Sequence, residues 1–131
     1  AHYYFRDFWG ADSGMLAALH VLAALGGQDA PLSDLMASYQ RYAASGEINF
    51  RVTDAPTCVA LVVKSFAAQT VSTDQMDGVT VDLGDGAWFN LRTSNTEPLL
   101  RLNVEARTAD EVSRIVAQAA DEIAAGSGAG R

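Results

Sequence analysis

The segment of this sequence best suited to chemistry is the polar run Arg92-Thr93-Ser94-Asn95-Thr96-Glu97-Pro98, here called the 92–98 segment. Arg92 offers a planar fork of N–H donors that matches two oxygens of a phosphate group. Ser94 and Thr96 add hydroxyl groups, and Asn95 adds an amide. Backbone N–H groups in a tight connection can also point inward around an anion. These donors together predict a phosphate-binding loop.

The same residues are also typical of an ordinary polar turn. Ser, Asn and Thr are common in turns because their side chains bond to nearby backbone groups. Glu97 would repel an anion unless its carboxylate points away from the loop. From the residues alone, a phosphate site and a plain turn both remain open.

Other reactive side chains are few and scattered. His2 could contact a phosphate or carry a proton, although an isolated histidine near a chain terminus usually does neither. His20 lies in an apolar helical stretch and is expected to be structural. Cys58 is the only cysteine and lies in an apolar run, which predicts a buried, inert thiol. No cluster has the spacing of a metal site, so no metal ligand is predicted.

The overall charge excludes some classes of partner. The formal net charge is −7, which argues against a nucleic-acid partner because such proteins carry a basic face. No apolar run reaches the roughly 20 residues that a membrane span needs, and no signal peptide is recognisable. We therefore expect a cytoplasmic protein without a membrane partner.

The first third of the chain predicts two helices. Asp12-Ser13 can cap a helix over residues 14–25, which Gly26-Gly27 would end. A second helix is predicted from about Ser33 to Gly46, with Tyr39 and Ala43 on its apolar face. Residues 1–45 are expected to form one unit, the helical end of an α/β domain.

Residues 46–125 have a different pattern, in the order β-α-β-β-β-α. Asp85-Gly86 is typical of a hairpin turn, and Thr108 with Glu111 forms a capping box. The predicted fold class is α+β, a four-stranded antiparallel sheet with two helices on one face. A polar loop is expected over residues 70–77, and a disordered tail over residues 126–131. Strands are predicted at residues 48–52, 79–83, 87–92 and 98–106, and helices after Asp54 and Thr108.

In these motifs the chain resembles the α-D-phosphohexomutase family. The family's C-terminal domain carries an Arg-x-Ser-Asn-Thr or Arg-x-Ser-Gly-Thr loop, which the 92–98 segment matches. Asn95 is similar to the phosphomannomutase/phosphoglucomutase form, whereas phosphoglucosamine mutases usually have Gly there. Residues 2–7 and 12–14 resemble the end of the family's third domain, and residues 46–52 resemble the start of its fourth.

The resemblance implies roles for particular residues. Arg92, Ser94, Asn95 and Thr96 would hold the substrate phosphate that is not being transferred. His2 would match an active-site histidine near the family's phosphoserine. The fourth domain of the family has a fold of the TATA-box-binding-protein type, so the same fold is expected here.

The resemblance also implies what the complete enzyme does. It would interconvert hexose 1-phosphate and hexose 6-phosphate, of mannose or glucose, through a phosphoserine and a bisphosphate intermediate. The family's catalytic serine loop, magnesium loop and sugar-recognition loop do not occur in this sequence. We therefore expect a C-terminal piece that is inactive alone, whose partners are a hexose phosphate and the N-terminal domains, and whose Mg2+ would be held elsewhere.

Two alternatives remain. The chain could be the C-terminal domain of a phosphoglucosamine mutase. It could instead be a non-catalytic regulatory or interaction module with a ferredoxin-like sheet, in which the 92–98 segment is only a turn.

Overall fold

The computed structural model describes residues 2–128. The chain divides into two compact units, Ala1–Gln40 and Arg41–Arg131. Among the helices of the described residues, none is both long enough and apolar enough to cross a membrane.

The first unit is a small antiparallel hairpin followed by two helices. Its hairpin turns at Trp9 and Gly10, whose φ angles are 53° and 64°. The hydroxyl of Ser13 accepts a hydrogen bond from the N–H of Leu16, so Ser13 caps the first helix as predicted. The hairpin was not predicted, because strands of two residues are too short to show an alternation of apolar and polar residues. The elements are β1 (Tyr4–Phe5), β2 (Ala11–Asp12), α1 (Gly14–Gly26) and α2 (Leu32–Ala37).

The second predicted helix is much shorter than expected. It ends at Ala37, so Tyr39 and Ala43 lie outside it. Ala43–Ala44 instead forms a short strand, β3, that pairs with Glu105 and Ala106 of the second unit. The helix prediction is wrong here because hydrogen bonds from a neighbouring strand override the helix propensity of alanine.

The second unit is an antiparallel sheet with two helices, which confirms the predicted α+β class. After β3 its elements are β4 (Ile48–Arg51), α3 (Ala55–Ser65), β5 (Ser72–Asp74), β6 (Val79–Gly84), β7 (Ala87–Thr93), β8 (Leu99–Ala106) and α4 (Ala109–Gly126). The six strands lie in the order β3-β8-β7-β6-β5, and β4 also pairs with β8.

Two of these six strands are additions to the predicted four. β5 falls in the predicted polar loop, and all three of its residues are exposed, so no alternation marks it as a strand.

β3 and β4 lie along the same edge of β8, separated by a break. There the N–H of Ser45 donates to the carbonyl of Val104 at 2.9 Å, and the N–H of Val104 donates to the Ser45 hydroxyl at 2.9 Å.

The central strands alternate as predicted. Phe89 and Leu91 of β7 are buried, whereas Asn90 and Arg92 point to the opposite, outer face. The β6–β7 turn is also confirmed, because Asp85 has a φ angle of 52° between two glycines of positive φ.

The core lies between the inner face of the sheet and the two helices. Alternate residues of β6, β7 and β8 meet the buried sides of α3 and α4, and α4 has the predicted apolar stripe. Cys58 is fully buried on α3, as predicted. The largest fully buried side chains are Phe66, Phe89, Leu91, Leu100, Leu102 and Ile115.

Capping residues determine where the two core helices begin. Asp54 accepts from the N–H of Thr57 and begins α3, and Thr108 accepts from the N–H of Glu111 and begins α4. α4 extends through Gly126, and the N–H of the following Ser127 donates to the carbonyl of Ile123 at 2.9 Å. The helix thus includes Gly126 of the predicted tail, and residues 129–131 of that tail lie outside the described residues.

We expect the second unit to depend strongly on the core of its central strands. Replacing the fully buried Leu102 with Ala should lower the free energy of unfolding by about 2–5 kcal/mol, because a cavity would remain. Met76→Ala is the control, since Met76 is 91% exposed and its loss should cost little. Urea denaturation measures both, and equal stability of the two variants would contradict this description of the core.

Candidate functional site

The 92–98 segment connects the two longest strands of the sheet. Arg92 and Thr93 are the last residues of β7, so the position of Arg92 is determined by strand pairing. The N–H of Ser94 donates to the carbonyl of Leu99 at 2.9 Å and closes the connection. The N–H of Thr96 approaches the Ser94 hydroxyl at 3.4 Å. The connection is therefore an ordered extension of the sheet.

A cavity of about 370 Å³ lies beside this connection. The four residues predicted to bind phosphate, Arg92, Ser94, Asn95 and Thr96, all line it. The sequence prediction thus identified residues that share one concave surface. The rest of the wall includes Asp77, Gly78, Thr93 and Arg101.

Arg101 is a second cation at this site that the sequence reasoning missed. It lies directly opposite Arg92 in the β7–β8 pairing, on the same outer face. Like charges placed opposite one another across two strands are destabilising, so the pair favours an anion between or beside them. The position of the turn is the signal that could have identified Arg101, because Arg92 and Arg101 lie on either side of the connection observed between β7 and β8.

The guanidinium of Arg101 is also incompletely bonded. Within residues 2–128, its Nε atom is a buried side-chain nitrogen without a hydrogen-bond partner. Glu47 Oε1 lies 3.7 Å from this atom, close enough for ionic attraction and too far for a hydrogen bond. Buried donors are nearly always satisfied, so an unpartnered Nε is unusual in the wall of a cavity.

Two carboxylates partly neutralise the arginines. Asp77 Oδ2 lies 3.3 Å from Arg92 Nη1, and Glu47 Oε2 lies 4.0 Å from Arg92 Nη2. The side chains of Arg92 and Glu47 are 39% and 40% exposed, so these ion pairs are weak. A ligand with two negative charges could displace them, because it would meet both arginines at once.

Glu97 does not stand among the residues that line the cavity. It is exposed, and its carbonyl accepts the N–H of Leu99 at 2.7 Å. The carboxylates that face the arginines belong instead to Glu47 and Asp77. Glu97 therefore does not line the cavity in which it was expected to repel an anion. Glu47 and Asp77 instead would compete with a bound anion for the arginines.

His2, the other predicted site residue, lies in the first unit. Its Nδ1 atom is 2.5 Å from Asp12 Oδ2, and its side chain is 74% exposed. The hydrogen bond from His2, with a second from the Tyr3 N–H, holds the pKa of Asp12 below its ordinary value. His20 is exposed and stacks on the ring of Phe5 at a centroid distance of 5.3 Å, and its structural role stays a prediction.

No group of three or more His, Cys, Asp or Glu side chains in the described part of the chain is arranged to hold a metal ion. The donors of the cavity, two guanidiniums with hydroxyl and amide groups, are suited to an anion.

Comparison with known proteins identifies the class to which this fold and site belong. A family model described as "Phosphoglucomutase/phosphomannomutase, C-terminal domain" matches residues 47–122. A second, "Phosphoglucomutase/phosphomannomutase, alpha/beta/alpha domain III", matches residues 1–42. The chain therefore belongs to the phosphoglucomutase/phosphomannomutase family, which confirms the predicted phosphohexomutase relationship.

Individual relatives agree with this family. Proteins named phosphohexose mutases from Xanthomonas campestris pv. campestris are 49% identical over 109 residues, covering 82% of this chain and 24% of the relative. A phosphomannomutase of Escherichia coli K12 is 41% identical over 109 residues, with the same two coverages. A phosphomannomutase of Methanocaldococcus jannaschii is 39% identical over 105 residues, covering 80% and 23%. The chain thus spans about a quarter of the length of these relatives.

A solved structure supports the fold. The crystal structure of a phosphoglucomutase/phosphomannomutase family protein from Burkholderia thailandensis has a TM-score of 0.66 and 22% identity. It covers 96% of this chain, which in turn covers 27% of that protein.

The cavity also depends on a glycine that approaches the strand of Arg92. Gly78 has a φ angle of 74°, and a Cβ atom there would collide with the Leu91 carbonyl oxygen and lie 3.0 Å from Arg92 Cα. Gly78→Ala should therefore destabilise the second unit by more than the roughly 1–2 kcal/mol that positive φ alone costs.

Gly46→Ala is the matched variant for this prediction. Gly46 has a φ angle of 65°, but nothing lies within 4 Å of a Cβ atom built there. Chemical denaturation of both variants separates the stability lost through positive φ from the stability lost through the steric collision at Gly78. Equal losses would show that the contact with β7 does not constrain the site.

Proposed function

We propose that this chain binds a phosphate group of a hexose phosphate through Arg92, Ser94, Asn95 and Thr96, assisted by Arg101. The observation that carries the proposal is the cross-strand pair of Arg92 and Arg101 beside the cavity. Two adjacent cations, one with an unsatisfied buried Nε, form a local anion site on a chain whose formal net charge is −7.

The remaining donors suit a phosphate monoester. Arg92 can bond two phosphate oxygens through its fork, and the hydroxyls of Ser94 and Thr96 can bond to oxygens that the arginines leave free. The Asn95 amide adds a neutral donor. Because the strand pairing holds Arg92 and Arg101 before any ligand arrives, little of the binding energy is lost in ordering them.

We propose that the longer protein interconverts hexose 1-phosphate and hexose 6-phosphate through a phosphoserine enzyme and a bisphosphate intermediate. In that reaction the 92–98 segment would hold the phosphate that is not being transferred, and so position the sugar. The family membership and the relatives named as phosphomannomutases support this reaction class. The choice between mannose and glucose stays open, and a cytoplasmic location stays a prediction.

We further propose that the serine and the Mg2+ of the complete enzyme lie outside this chain, which alone would be inactive. Among the described residues, no group of three or more His, Cys, Asp or Glu side chains is arranged to hold magnesium. A mutase assay on the 131-residue chain tests the proposed inactivity, and measurable turnover would contradict it.

Of the alternatives, Asn95 favours a phosphomannomutase/phosphoglucomutase over a phosphoglucosamine mutase, whose loop usually carries Gly. A regulatory module that pairs through a sheet edge has less support. One edge of the sheet is β5, which has only three residues, and short edge strands are typical of sheets that avoid pairing with other chains.

Titration with inorganic phosphate tests the binding proposal directly. We expect millimolar phosphate to shift the backbone amide resonances of residues 92–96 and of Arg101. Arg92→Ala should weaken binding roughly tenfold to a hundredfold, since a charge-assisted bidentate contact is lost. Arg114→Ala is the control, because Arg114 is an exposed cation on α4. A 92–98 segment that does not respond to phosphate would be a plain turn.

The internal competitors give a second prediction, opposite in direction. Glu47→Gln should strengthen phosphate binding by about two- to fivefold, because a carboxylate that attracts Arg92 and Arg101 becomes neutral. Glu97→Gln should leave the affinity unchanged, since Glu97 does not line the cavity. If the Glu97 variant bound more tightly and the Glu47 variant did not, the assignment of the competing carboxylate would be wrong.

A further inference from the structure

A second cavity lies on the outer face of the sheet, next to the proposed phosphate site. Its volume is about 450 Å³, and Asp77 and Arg92 belong to its wall as well as to the wall of the first cavity. Because the two cavities share these residues, they adjoin one another. Cavities of this size hold small molecules, so a ligand bound at Arg92 has room to extend into the second cavity.

The floor of the second cavity follows β7 along its outer face. Trp88, Asn90 and Arg92 line it, and they alternate with the buried Phe89 and Leu91. Residues on the same face of a strand lie about 7 Å apart, since two residues separate them along the chain. The amide of Asn90 and the ring of Trp88 therefore continue the line that begins at the Arg92 guanidinium.

Strand pairing places two more uncharged polar side chains beside Asn90. Asn103 of β8 is its register partner on one side, and Thr80 of β6 is its register partner on the other. Both line the second cavity. The pair of arginines is thus followed by amide and hydroxyl groups, which bond to the hydroxyls of a ligand and carry no charge to attract another anion.

Asn90 is oriented before a ligand arrives. Its Nδ2 atom donates to the Asp77 carbonyl at 2.9 Å and to the Thr80 hydroxyl at 2.9 Å. An amide nitrogen carries two hydrogens, so both are used and Oδ1 is the atom that a ligand can reach. Because Oδ1 only accepts hydrogen bonds, it suits the O–H group of a sugar. The exposed carboxylates of Asp74 and Asp77 stand in the same wall as further acceptors.

Trp88 adds an aromatic surface beyond the amides. Its side chain is half-buried and lines the second cavity. An indole offers an apolar ring face together with one N–H donor. A sugar ring is complementary to both parts, because its hydroxyls lie around its edge and its C–H groups lie on its faces.

We propose that the surface formed by Trp88, Asn90 and Asn103 binds the sugar ring of a hexose phosphate. The phosphate of the same molecule is held at Arg92 and Arg101, so the inference rests on the proposed function. One sugar hydroxyl donates to Asn90 Oδ1, others bond to the Asn103 amide, and a C–H face of the ring packs on Trp88. The arginines select the charge of the ligand, and this surface selects a sugar as the group attached to the phosphate.

A comparison of glucose 6-phosphate with methyl phosphate tests the proposal on the unmodified chain. Both are phosphate monoesters, but methyl phosphate has no sugar ring. We expect glucose 6-phosphate to bind about tenfold more tightly, because it adds several hydrogen bonds and an aromatic contact. In NMR titrations both ligands should shift the backbone amides of residues 92–96. Only glucose 6-phosphate should shift the Trp88 indole N–H and the side-chain amides of Asn90 and Asn103.

Two variants assign this preference to particular side chains. Asn103→Ala and Trp88→Leu should each reduce the preference for glucose 6-phosphate to about two- to threefold, and should leave the affinity for methyl phosphate nearly unchanged. Gln69→Ala is the control, since Gln69 is an exposed amide that lines neither cavity. A preference that both variants retain in full would overturn the proposal. If a variant does not fold, the shifts in the unmodified chain decide.

The two ligands also separate this inference from the proposed function. If methyl phosphate shifts residues 92–96 and glucose 6-phosphate binds no more tightly, the sugar surface is refuted and the phosphate site survives. If neither ligand shifts residues 92–96, the proposed function fails, and the sugar surface fails with it.

Discussion

Antiparallel pairing of β7 with β8 sets Arg92 opposite Arg101 at the end of the sheet where the 92–98 segment begins. The connection, the cavity and the two carboxylates near it are all arranged around this pair. Side chains alternate along a strand, so a slip of one residue in the pairing would move Arg92 to the core face. That slip is opposed by the inner-face residues, because Leu91 and Leu102 would lose their buried positions. Hydrophobic packing on one face thus determines the electrostatics of the other.

The sheet divides the second unit into a structural side and a side that carries the proposed phosphate site, here called the ligand side. The structural side carries α3, α4 and the buried core, which includes Cys58. The ligand side carries the arginines, their acidic partners and the close approach of Gly78 to β7. Substitutions on the two sides are therefore expected to affect different properties, stability on one and affinity on the other. Gly78 belongs to both, since its contact with the strand backbone shapes the cavity wall.

Much of this arrangement could be predicted from the sequence, and the exceptions have physical reasons. The α4 stripe, the Asp54 and Thr108 caps and the alternation in β7 are local patterns, so the sequence contains them in full. β3 and β5 were missed because they exist only through pairing with β8 and β6. Site residues that are distant in the sequence could not be predicted either, for the same reason. Ser94 to Thr96 are contiguous with Arg92, whereas Glu47 and Asp77 come to it through tertiary structure.

The two carboxylates beside the arginines also affect which anions the proposed site should prefer. Glu47 and Asp77 already supply two negative charges to the two guanidiniums, so the local charge is close to balanced before a ligand arrives. A monovalent anion such as chloride, abundant in cells, gains little by exchanging with either carboxylate. A phosphate monoester brings about two charges on one rigid group and can replace both contacts together. We therefore expect the proposed site to discriminate against monovalent anions and to favour a phosphate monoester that carries two charges.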